Sequence, residues 1–459
     1  MRTRLRDCPD ARQPASAYGR AMGPVPRSSV LCAVATTAFA ACAGVAGAAG
    51  WSTPAVLEAR CVKDAVNCRS ETSPRVALNA RGQSVVAWVA KNRIRAAIGD
   101  ARGRFGRSLA FEKAFRPAVT MAANGTAVVV WSAGGQLRYV RRAPGHGFSR
   151  PANLVPGSKE GDDMPKTAIQ PDGSTLVLYE NTTRTAAGYV TELRSVRIRP
   201  GRRPTNPLVL GRGWVDRDGF GASDGHATAC CLGVRGSIFI PAPPRTVLAW
   251  SPAAGWAILA PALATREVVE SVGQGHGEVV LGTVAVLHSG DAGTSGLPAL
   301  LRAGAGGVFG APLAAPVKRA GLAFGPVVAI DGSGRSALVY QEKTAPKAFS
   351  RDAPVWVVTA PRGGAFGARQ ALDRGLARFP QLRPYRSGAI VAWEAPKHRW
   401  GVAVERNGRF ASGPAPSGGP SAAGEDSIRS RDLATAGRYA ALAWTASDGS
   451  VRVSLAASL

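Results

Sequence analysis

The chain has 459 residues, of which 45% are hydrophobic and 19% charged, and this apolar content excludes a disordered protein. Its 55 glycines and 33 prolines exclude a mainly helical protein and favour short strands joined by turns. The formal net charge of +27 would attract anionic partners such as nucleic acid, acidic envelope polymers or lipid surfaces. Because arginine is spread through the chain and far exceeds lysine, a purely compositional origin of this charge is the alternative interpretation.

The first 48 residues have the pattern of a secretory signal. Six arginines precede an apolar stretch from Val30 to about Val45, and small residues at 46–48 offer a cleavage site. We therefore expect residues 1–48 to be removed and 49–459 to fold, with Met22 as an alternative start. A lipidated Cys42 is a second alternative, although the apolar stretch continues past it. No later segment has the roughly 20 strongly apolar residues of a transmembrane helix.

Cysteine usage agrees with export. Removal of the signal would leave four cysteines, an even number that predicts disulfides in an oxidising compartment. Cys61 and Cys68 are close in sequence and are expected to pair. Adjacent Cys230 and Cys231 either form a vicinal disulfide or pair elsewhere. A zinc site formed by these two with His226 is a further alternative, but it lacks a clear fourth ligand.

A signature of proline, glycine and an aromatic residue recurs at offsets of 0, 8 and 14. Proline is predicted to open a strand where its missing N–H costs least, and glycine to stand in a hairpin turn. The apolar run before the aromatic residue predicts a strand covered on both faces. Looser copies end in Trp393 and Trp444, and Trp250 marks a degenerate one. The four regular copies are Pro74, Gly82, Trp88; Pro117, Gly125, Trp131; Pro165, Gly173, Tyr179; and Pro326, Gly334, Tyr340.

A third apolar run and a fourth short stretch follow each hairpin, as in Leu137–Val140 and Phe148–Leu154. Four strands in a unit of about 50 residues are typical of a β-propeller blade. Near the start of the expected mature chain, Trp51–Leu57 matches a fourth stretch, and near the end Ser450–Leu455 supplies a third strand. The two ends are therefore predicted to share one blade, which would remove exposed sheet edges.

One copy carries a family resemblance. Gln170–Tyr179 reads Gln-Pro-Asp-Gly-Ser-Thr-Leu-Val-Leu-Tyr, which resembles the WD40-like repeat of secreted bacterial propellers, especially the periplasmic propeller of the Tol system. The resemblance implies a fold and no particular function: a single all-β propeller of four-stranded blades. The chain length favours seven blades, with six to eight open, and residues 211–236 read as an irregular insertion.

The insertion holds the best candidate for a metal or ligand loop. Asp216, Asp218, Asp224 and His226 lie in a glycine-rich stretch, and calcium would be the natural cation for such oxygens. Ordinary turn chemistry of Asp-Gly pairs is the alternative, so no cofactor is firmly expected. Catalytic residues are not identified, because the five histidines lack metal-binding spacing.

These features favour a non-enzymatic binding or scaffold propeller, secreted or at the cell surface, that works as a monomer on an unknown protein or glycan. One alternative is a propeller hydrolase or lyase acting on a glycan, which would need two carboxylates facing each other across a pocket. A second alternative is a binder of anionic cell-envelope polymers through the basic surface.

Overall fold

Regular structure in the described part of the chain consists of β-strands, and no helix occurs there. The computed structural model describes residues 50–58, 74–155, 162–186, 188–212, 220–223, 226–229, 247–251, 255–259, 267–275, 278–290, 293–304, 308–318, 322–343, 353–420 and 431–459. Gly47–Leu459 groups as one compact unit. The expected all-β class is confirmed.

Antiparallel strands follow one another in sequence and form meanders of four. Meanders 1 to 4 are separate sheets in which each strand hydrogen-bonds to the next. Meander 1 contains β3 (Arg75–Leu78), β4 (Ser84–Ala90), β5 (Arg93–Gly99) and β6 (Leu109–Lys113); meander 2 contains β7 (Phe115–Met121), β8 (Ala127–Ala133), β9 (Gln136–Arg142) and β10 (Ala152–Asn153); meander 3 contains β11 (Asp162–Ile169), β12 (Thr175–Thr185), β13 (Gly188–Ile198) and β14 (Leu208–Arg212); meander 4 contains β15 (Phe220–Ser223), β16 (His226–Ala229), β17 (Val247–Ser251) and β18 (Gly255–Leu259).

Three further meanders are joined into one eleven-stranded sheet. The joints are a single pair, Gly296 with Ala323, and a long strand that pairs through residues 370–377 with one neighbour and through 378–385 with the next. Meander 5 contains β19 (Glu267–Gly275), β20 (Glu278–Gly290), β21 (Gly293–Ala303) and β22 (Leu313–Ala314); meander 6 contains β23 (Ala323–Ile330), β24 (Ser336–Glu342), β25 (Ala353–Ala360) and the first half of β26 (Gln370–Tyr385); meander 7 contains the second half of β26, β27 (Gly388–Ala395), β28 (Arg399–Arg406) and β29 (Arg409–Ser412).

Meander 8 takes strands from both ends of the described chain. It contains β30 (Arg431–Ala436), β31 (Tyr439–Thr445) and β32 (Val451–Ala457), and β32 pairs with β1 (Gly50–Trp51) and β2 (Ala55–Glu58). The Ser52 amide donates to the Leu455 carbonyl oxygen at 2.7 Å, and the Ser454 hydroxyl donates to the Ser52 carbonyl oxygen at 2.6 Å. The Trp51 indole N–H also donates to the Pro414 carbonyl oxygen at 2.9 Å. Two early segments therefore fill the place of the fourth strand after β32.

The first strands of the meanders pack against one another in sequence, and we call them the inner row. Each member packs against the first strand of the following meander, and β30 of meander 8 packs against β3 of meander 1. The inner row consists of β3, β7, β11, β15, β19, β23, the second half of β26, and β30. Consecutive meanders therefore lie face to face.

Packing between meanders explains the apolar second strands. All seven residues of β4 are buried, as are all seven of β24 and of β31. A strand with one exposed face would alternate between polar and apolar residues, whereas β4 and β31 are apolar at six of seven positions because both faces are covered. The resulting clusters run across meander boundaries: Trp88 and Val86 of meander 1 pack with Ala441 and Val453 of meander 8.

The predicted hairpin turns are confirmed. In four copies the glycine N–H donates to a carbonyl oxygen three residues earlier, as from Gly82 to Asn79 at 2.9 Å and from Gly173 to Gln170 at 2.9 Å. The glycine φ is +78° in both turns, a left-handed value that penalises a side chain. Asp172 caps its turn by accepting from the Ser174 amide at 2.7 Å.

Two expectations differ from the structure. In residues 211–300 the sequence shows only the degenerate Trp250 copy, and the described strands between Phe220 and Ala314 form two meanders, 4 and 5. Trp250 lies in a third strand, paired with Ala227 and Trp256, rather than in a second strand. The stretch expected to be an insertion contributes β15 and β16 to meander 4. This region therefore contains two four-stranded meanders, although the proline, glycine and aromatic signature is weak there.

Candidate functional site

A β-bulge interrupts the inner row at the repeat proline in four meanders. In β7 the pairing skips Arg116 and Pro117, which together stand opposite Trp131. The same two-for-one arrangement occurs at 164–165 opposite Tyr179, at 325–326 opposite Tyr340, and at 379–380 opposite Trp393. Proline fits this position because a bulge leaves a backbone N–H without its ladder partner. The repeat proline thus lies inside a bulge in these four strands, which corrects the expectation that it opens the strand, whereas Pro74 does directly precede β3.

The residue before the bulge proline has a left-handed backbone in three of these strands. The φ value is +52° at Arg116, +60° at Gly325 and +47° at Phe379. Glycine tolerates this region, whereas a residue with a side chain loses roughly 1–2 kcal/mol there. Such strain concentrates at functional sites. The N-terminal end of the inner row is therefore a candidate functional surface.

Phenylalanine and basic side chains meet at this end. Phe115, the first residue of β7, is 49% exposed and directly precedes the strained Arg116. In meander 6 the Lys343 ammonium lies 5.0 Å from the centroid of the Phe324 ring. In meander 7 the Phe379 ring lies 4.5 Å from the guanidinium of Arg431. Two meanders thus place a phenylalanine ring against a cation near the bulge, and a third has Phe115 next to Arg116 in sequence.

The Lys343 ammonium is partly removed from water. Burial lowers the pKa of Lys343 below its ordinary value. The backbone N–H of the same residue donates to the Leu322 carbonyl oxygen at 2.9 Å, which ties it to the start of β23. A cation that has already lost part of its hydration shell has a smaller desolvation cost when it binds an anion.

A buried ion pair with a histidine lies beside Phe379. The Arg431 guanidinium, 1% exposed, donates to one carboxylate oxygen of Glu394 at 2.9 Å. The other oxygen of Glu394 is 3.2 Å from Nδ1 of the half-exposed His398, whose backbone is also left-handed at φ +52°. Because Arg431 belongs to meander 8 and Glu394 to meander 7, this cluster joins two meanders. It also neutralises the buried carboxylate.

A second set of carboxylates links neighbouring meanders through the repeat tryptophans. The Trp131 indole donates to Glu112 of the preceding meander at 3.1 Å, and Arg138 lies 3.4 Å from the same carboxylate. Trp393 donates to Asp373 in the same way at 2.8 Å. Trp88 and Arg95 both contact Glu58, at 3.4 Å each. These acids bind the next meander, so their function is structural.

Three buried carboxylates lie at the opposite end, where first and second strands are joined by turns. Glu278 is 2.7 Å from Arg362, and the Arg335 guanidinium donates to Glu405 at 3.0 Å. Burial raises the pKa of Glu405, and the nearby Asp331 raises it further, against the hydrogen bond from Arg335. The Asp331 carboxylate also accepts hydrogen bonds from its own turn, including one from the Arg335 amide at 2.9 Å. This arrangement joins meanders 6 and 7.

The metal or ligand loop expected from the sequence lies mostly outside the described residues. Asp216, Asp218 and Asp224 are among the residues not described, and His226 begins β16 opposite Ser223. Cys61, Cys68, Cys230 and Cys231 also fall outside the described ranges, so their pairing stays a prediction. No group of three or more histidine, cysteine or acidic side chains suited to a metal occurs among the described residues.

The residues at the N-terminal end of the inner row are not identified by the sequence interpretation. The repeat signature runs from proline to the aromatic residue, while Phe115, Arg116, Phe324 and Phe379 occupy the one or two positions before that proline. Aligning those two positions between copies would have revealed phenylalanine in three of them. The strained backbone has no sequence signal, because Arg and Phe rarely adopt it.

Comparison with known proteins identifies no relative by sequence. No protein-family profile matches the chain, and no curated protein matches it. Among solved structures, the chain is similar to polysaccharide lyase Uly1 (TM-score 0.43, 7% identity, 84% of this chain and 89% of that chain), to the WD40 domain of SCAP from fission yeast (0.44, 9%, 84% and 94%), and to a puromycin hydrolase mutant (0.47, 16%, 87% and 61%). TM-scores below 0.5 carry no argument about this chain, so the likeness to the Tol-system propeller stays a prediction from the turn motif.

Membrane insertion by a helix has no support in the described part of the chain, where no helix is long and apolar enough to span a bilayer.

Proposed function

We propose that this chain is an exported, non-enzymatic binding protein with the fold of a closed eight-bladed β-propeller. Each meander would be one blade, and the inner row would surround a central channel. The packing of β30 against β3 and the pairing of β32 with β1 and β2 support closure. A closed ring also leaves only short outer edges exposed, which is how antiparallel folds avoid edge-to-edge aggregation.

Export rests on the sequence. Six arginines before an apolar stretch and small residues at 46–48 support removal of residues 1–48, and the four remaining cysteines suit an oxidising compartment. The expected mature protein begins at 49 and is a free monomer, whereas lipidation would instead leave Cys42 as the first residue and attach the protein to the cell surface. Amino-terminal sequencing of the exported protein tests this: a first residue near 49 supports cleavage, and retention of residues 1–48 contradicts it.

The binding surface is assigned to the N-terminal end of the inner row, which would be one mouth of the channel. The observation that carries this assignment is the half-exposed Phe115 next to the left-handed Arg116. An exposed aromatic residue and a strained basic residue at a channel mouth stabilise the fold little, whereas both are suited to ligand contact.

A binding function is favoured over hydrolysis because two of the carboxylates at this end are already engaged. Glu394 is held by Arg431, and one oxygen of Asp432 accepts from the Val76 amide at 3.0 Å. A glycan hydrolase would need two carboxylates available to the sugar on either side of the scissile bond. Carboxylates in contact with arginine or backbone N–H groups are poorly suited to protonating a leaving group or activating a water molecule.

Retention on a defined panel of polymers tests the proposal. The panel contains neutral and acidic polysaccharides, double-stranded DNA, and vesicles containing anionic lipid. The proposal expects one member to be retained and recovered with its chain length unchanged. A retained polysaccharide that is shortened would establish the hydrolase or lyase alternative.

Paired variants locate the surface. Phe115→Ala with Arg116→Gln should weaken retention, whereas Leu109→Ala with Arg107→Gln should not. The control removes one exposed apolar side chain, Leu109 at the start of the outer strand β6, and one charge, Arg107 just before that strand. Equal effects of the two pairs would contradict a binding surface at the channel mouth.

A further inference from the structure

We propose that the end of the fold opposite the start of the inner row docks onto an anionic lipid bilayer through turns that carry arginine. We call this end the turn end, because first strands are joined there to second strands, and third strands to fourth. In meander 1 these turns lie at 79–83 and 100–104, and the other meanders have the same plan. The inference concerns a different surface from the mouth and does not depend on what the mouth binds.

The turns of neighbouring meanders lie side by side. The Asn79 side-chain amide is 3.5 Å from the Ala122 carbonyl oxygen, so the turns of meanders 1 and 2 meet. The Tyr385 hydroxyl donates to the Arg438 carbonyl oxygen at 2.9 Å, which joins the turns of meanders 7 and 8. Between these two pairs, β30 of meander 8 packs against β3 of meander 1. The turns therefore form one continuous row across these meanders.

Exposed arginines occupy this row and its extension into meander 3. None of them forms an ion pair with a carboxylate of the described residues. Meanders 1 and 3 supply Arg81, Arg102, Arg107, Arg199, Arg202 and Arg203. Meanders 7 and 8 supply Arg386, Arg406, Arg409 and Arg438. These guanidinium groups are available to an anionic partner.

Carboxylates are few at the turn end, and most are already held. Among the described residues, the acidic side chains at this end are Asp100, Asp172, Glu278, Asp331 and Glu405. Asp100, Glu278 and Glu405 each lie within 3.0 Å of an arginine, and Asp172 lies 3.8 Å from one. Asp331 accepts hydrogen bonds from its own turn. Even with the carboxylate of Leu459 counted, arginines far outnumber acids here.

The remaining described acids lie at the opposite end or in the strand halves nearer to it. They include Asp162, Asp163, Glu267 and Asp432, at or next to the starts of inner strands. A compositional bias would raise arginine at both ends alike and would not remove acids from one of them. The described lysines also lie away from the turns of this end, so its cations are arginines, whose planar forks suit phosphate oxygens.

A planar partner is favoured because the arginines spread over the turns of several neighbouring meanders. A nucleic acid duplex is a rod that neutralises charges along one line, whereas a bilayer presents anionic headgroups beneath every turn. The described part of the turn end exposes no aromatic ring, which disfavours single-stranded nucleic acid, whose bases stack on such rings. Val308, 80% exposed just before Phe309 in meander 5, adds an apolar side chain suited to the bilayer interface.

Co-sedimentation of the chain with vesicles of phosphatidylcholine and a rising fraction of phosphatidylglycerol tests the inference. We expect no binding to pure phosphatidylcholine, a steep rise with phosphatidylglycerol, and a fall as salt is added. Two triple variants remove charge from meanders well apart in the row: Arg199→Gln, Arg202→Gln and Arg203→Gln in meander 3, and Arg386→Gln, Arg406→Gln and Arg409→Gln in meander 7. At about fivefold for each charge removed, each triple variant should weaken binding by roughly a hundredfold.

A matched variant separates the turn end from net charge. Lys91→Gln, Arg93→Gln and Lys113→Gln remove three exposed cations from the other end of meander 1 and should leave vesicle binding nearly unchanged. Equal losses in this variant and the two turn variants would overturn the inference, because net charge alone would then explain binding. A loss in only one turn variant would show a local track and overturn the planar partner. Retention of double-stranded DNA without retention of vesicles would overturn the lipid surface as the occupant.

Discussion

Single turn residues set the geometry of the repeat. Gly173 has φ +78°, and the nearest atom to a Cβ there would be the flexible end of Arg141, at 3.3 Å. We therefore expect Gly173→Ala to lower the free energy of unfolding by about 1–2 kcal/mol through backbone strain alone. Gly147→Ala is the matched control, since it lacks the left-handed φ and has open space around it. Urea unfolding of both variants measures the difference, and equal losses would contradict a backbone origin.

Glu405 gives the stability of the fold a pH dependence of predictable sign. Its pKa is raised in the folded protein, first by burial and then by Asp331. The folded state therefore holds a proton that the unfolded state releases, so this group's contribution falls as pH rises from the ordinary glutamate value through the raised one. Relative to the wild type, Glu405→Gln should gain stability as pH is raised from 4 to 7. Unfolding free energies that differ by a constant amount across this range would contradict the raised pKa.

The sequence predicts conformation better than contact at the residue scale. Gly82, Gly125, Gly173 and Gly334 are assigned to turns because glycine at a fixed spacing before an apolar strand is typical of a hairpin, and each has a positive φ. The Glu394–Arg431 pair could not be predicted, because its members are 37 residues apart and meet only through the packing of two meanders. Sequence spacing has no information on such a meeting.

Second strands are the elements that hold neighbouring meanders together. Trp131 is fully buried, stacks on Phe111 with ring centroids 5.3 Å apart, and donates to Glu112. We expect Trp131→Ala to cost about 3–5 kcal/mol, the range for truncating a large buried aromatic residue. Glu112→Gln should cost about 1 kcal/mol or less, because its pair with Arg138 is partly exposed. Similar losses in the two variants would show that the charge of Glu112, and not the packed volume of Trp131, dominates.

At the scale of elements, second strands can be predicted from the sequence where the repeat signature is regular. Second strands such as β4 and β24 are predicted from a short apolar run that leads to an aromatic residue, Trp88 or Tyr340. Meanders 4 and 5 are not recognisable from the sequence. Trp250 lies in a third strand, and β19 carries its bulge at Glu270 instead of at a proline. The long β26 also has no clear signal, because one strand pairs with two meanders through its two halves.

At the scale of the whole molecule, meander 8 depends on residues from both ends of the described chain. A chain shortened to begin at 59 loses β1 and β2, and with them several backbone hydrogen bonds to β32. At roughly 1 kcal/mol each, we expect a loss of about 3 kcal/mol and some self-association through the exposed β32 edge. Thermal unfolding and light scattering, compared with a chain beginning at 47, measure both effects. Unchanged values would show that β1 and β2 are dispensable.

The pairing of β1 and β2 with β32 also imposes an order on folding during synthesis. Gly50 and Ala457 are paired neighbours in the fold, yet about four hundred residues separate them in time on the ribosome. Meanders 1 to 7 can form as they emerge, but β1 and β2 must wait, unpaired, until the last strand is made. A nascent chain therefore completes its fold only after release, and any chain crossing a membrane would do so on the far side. Premature termination near 450 would leave a protein that is nearly full length but lacks β32, the strand with which β1 and β2 pair.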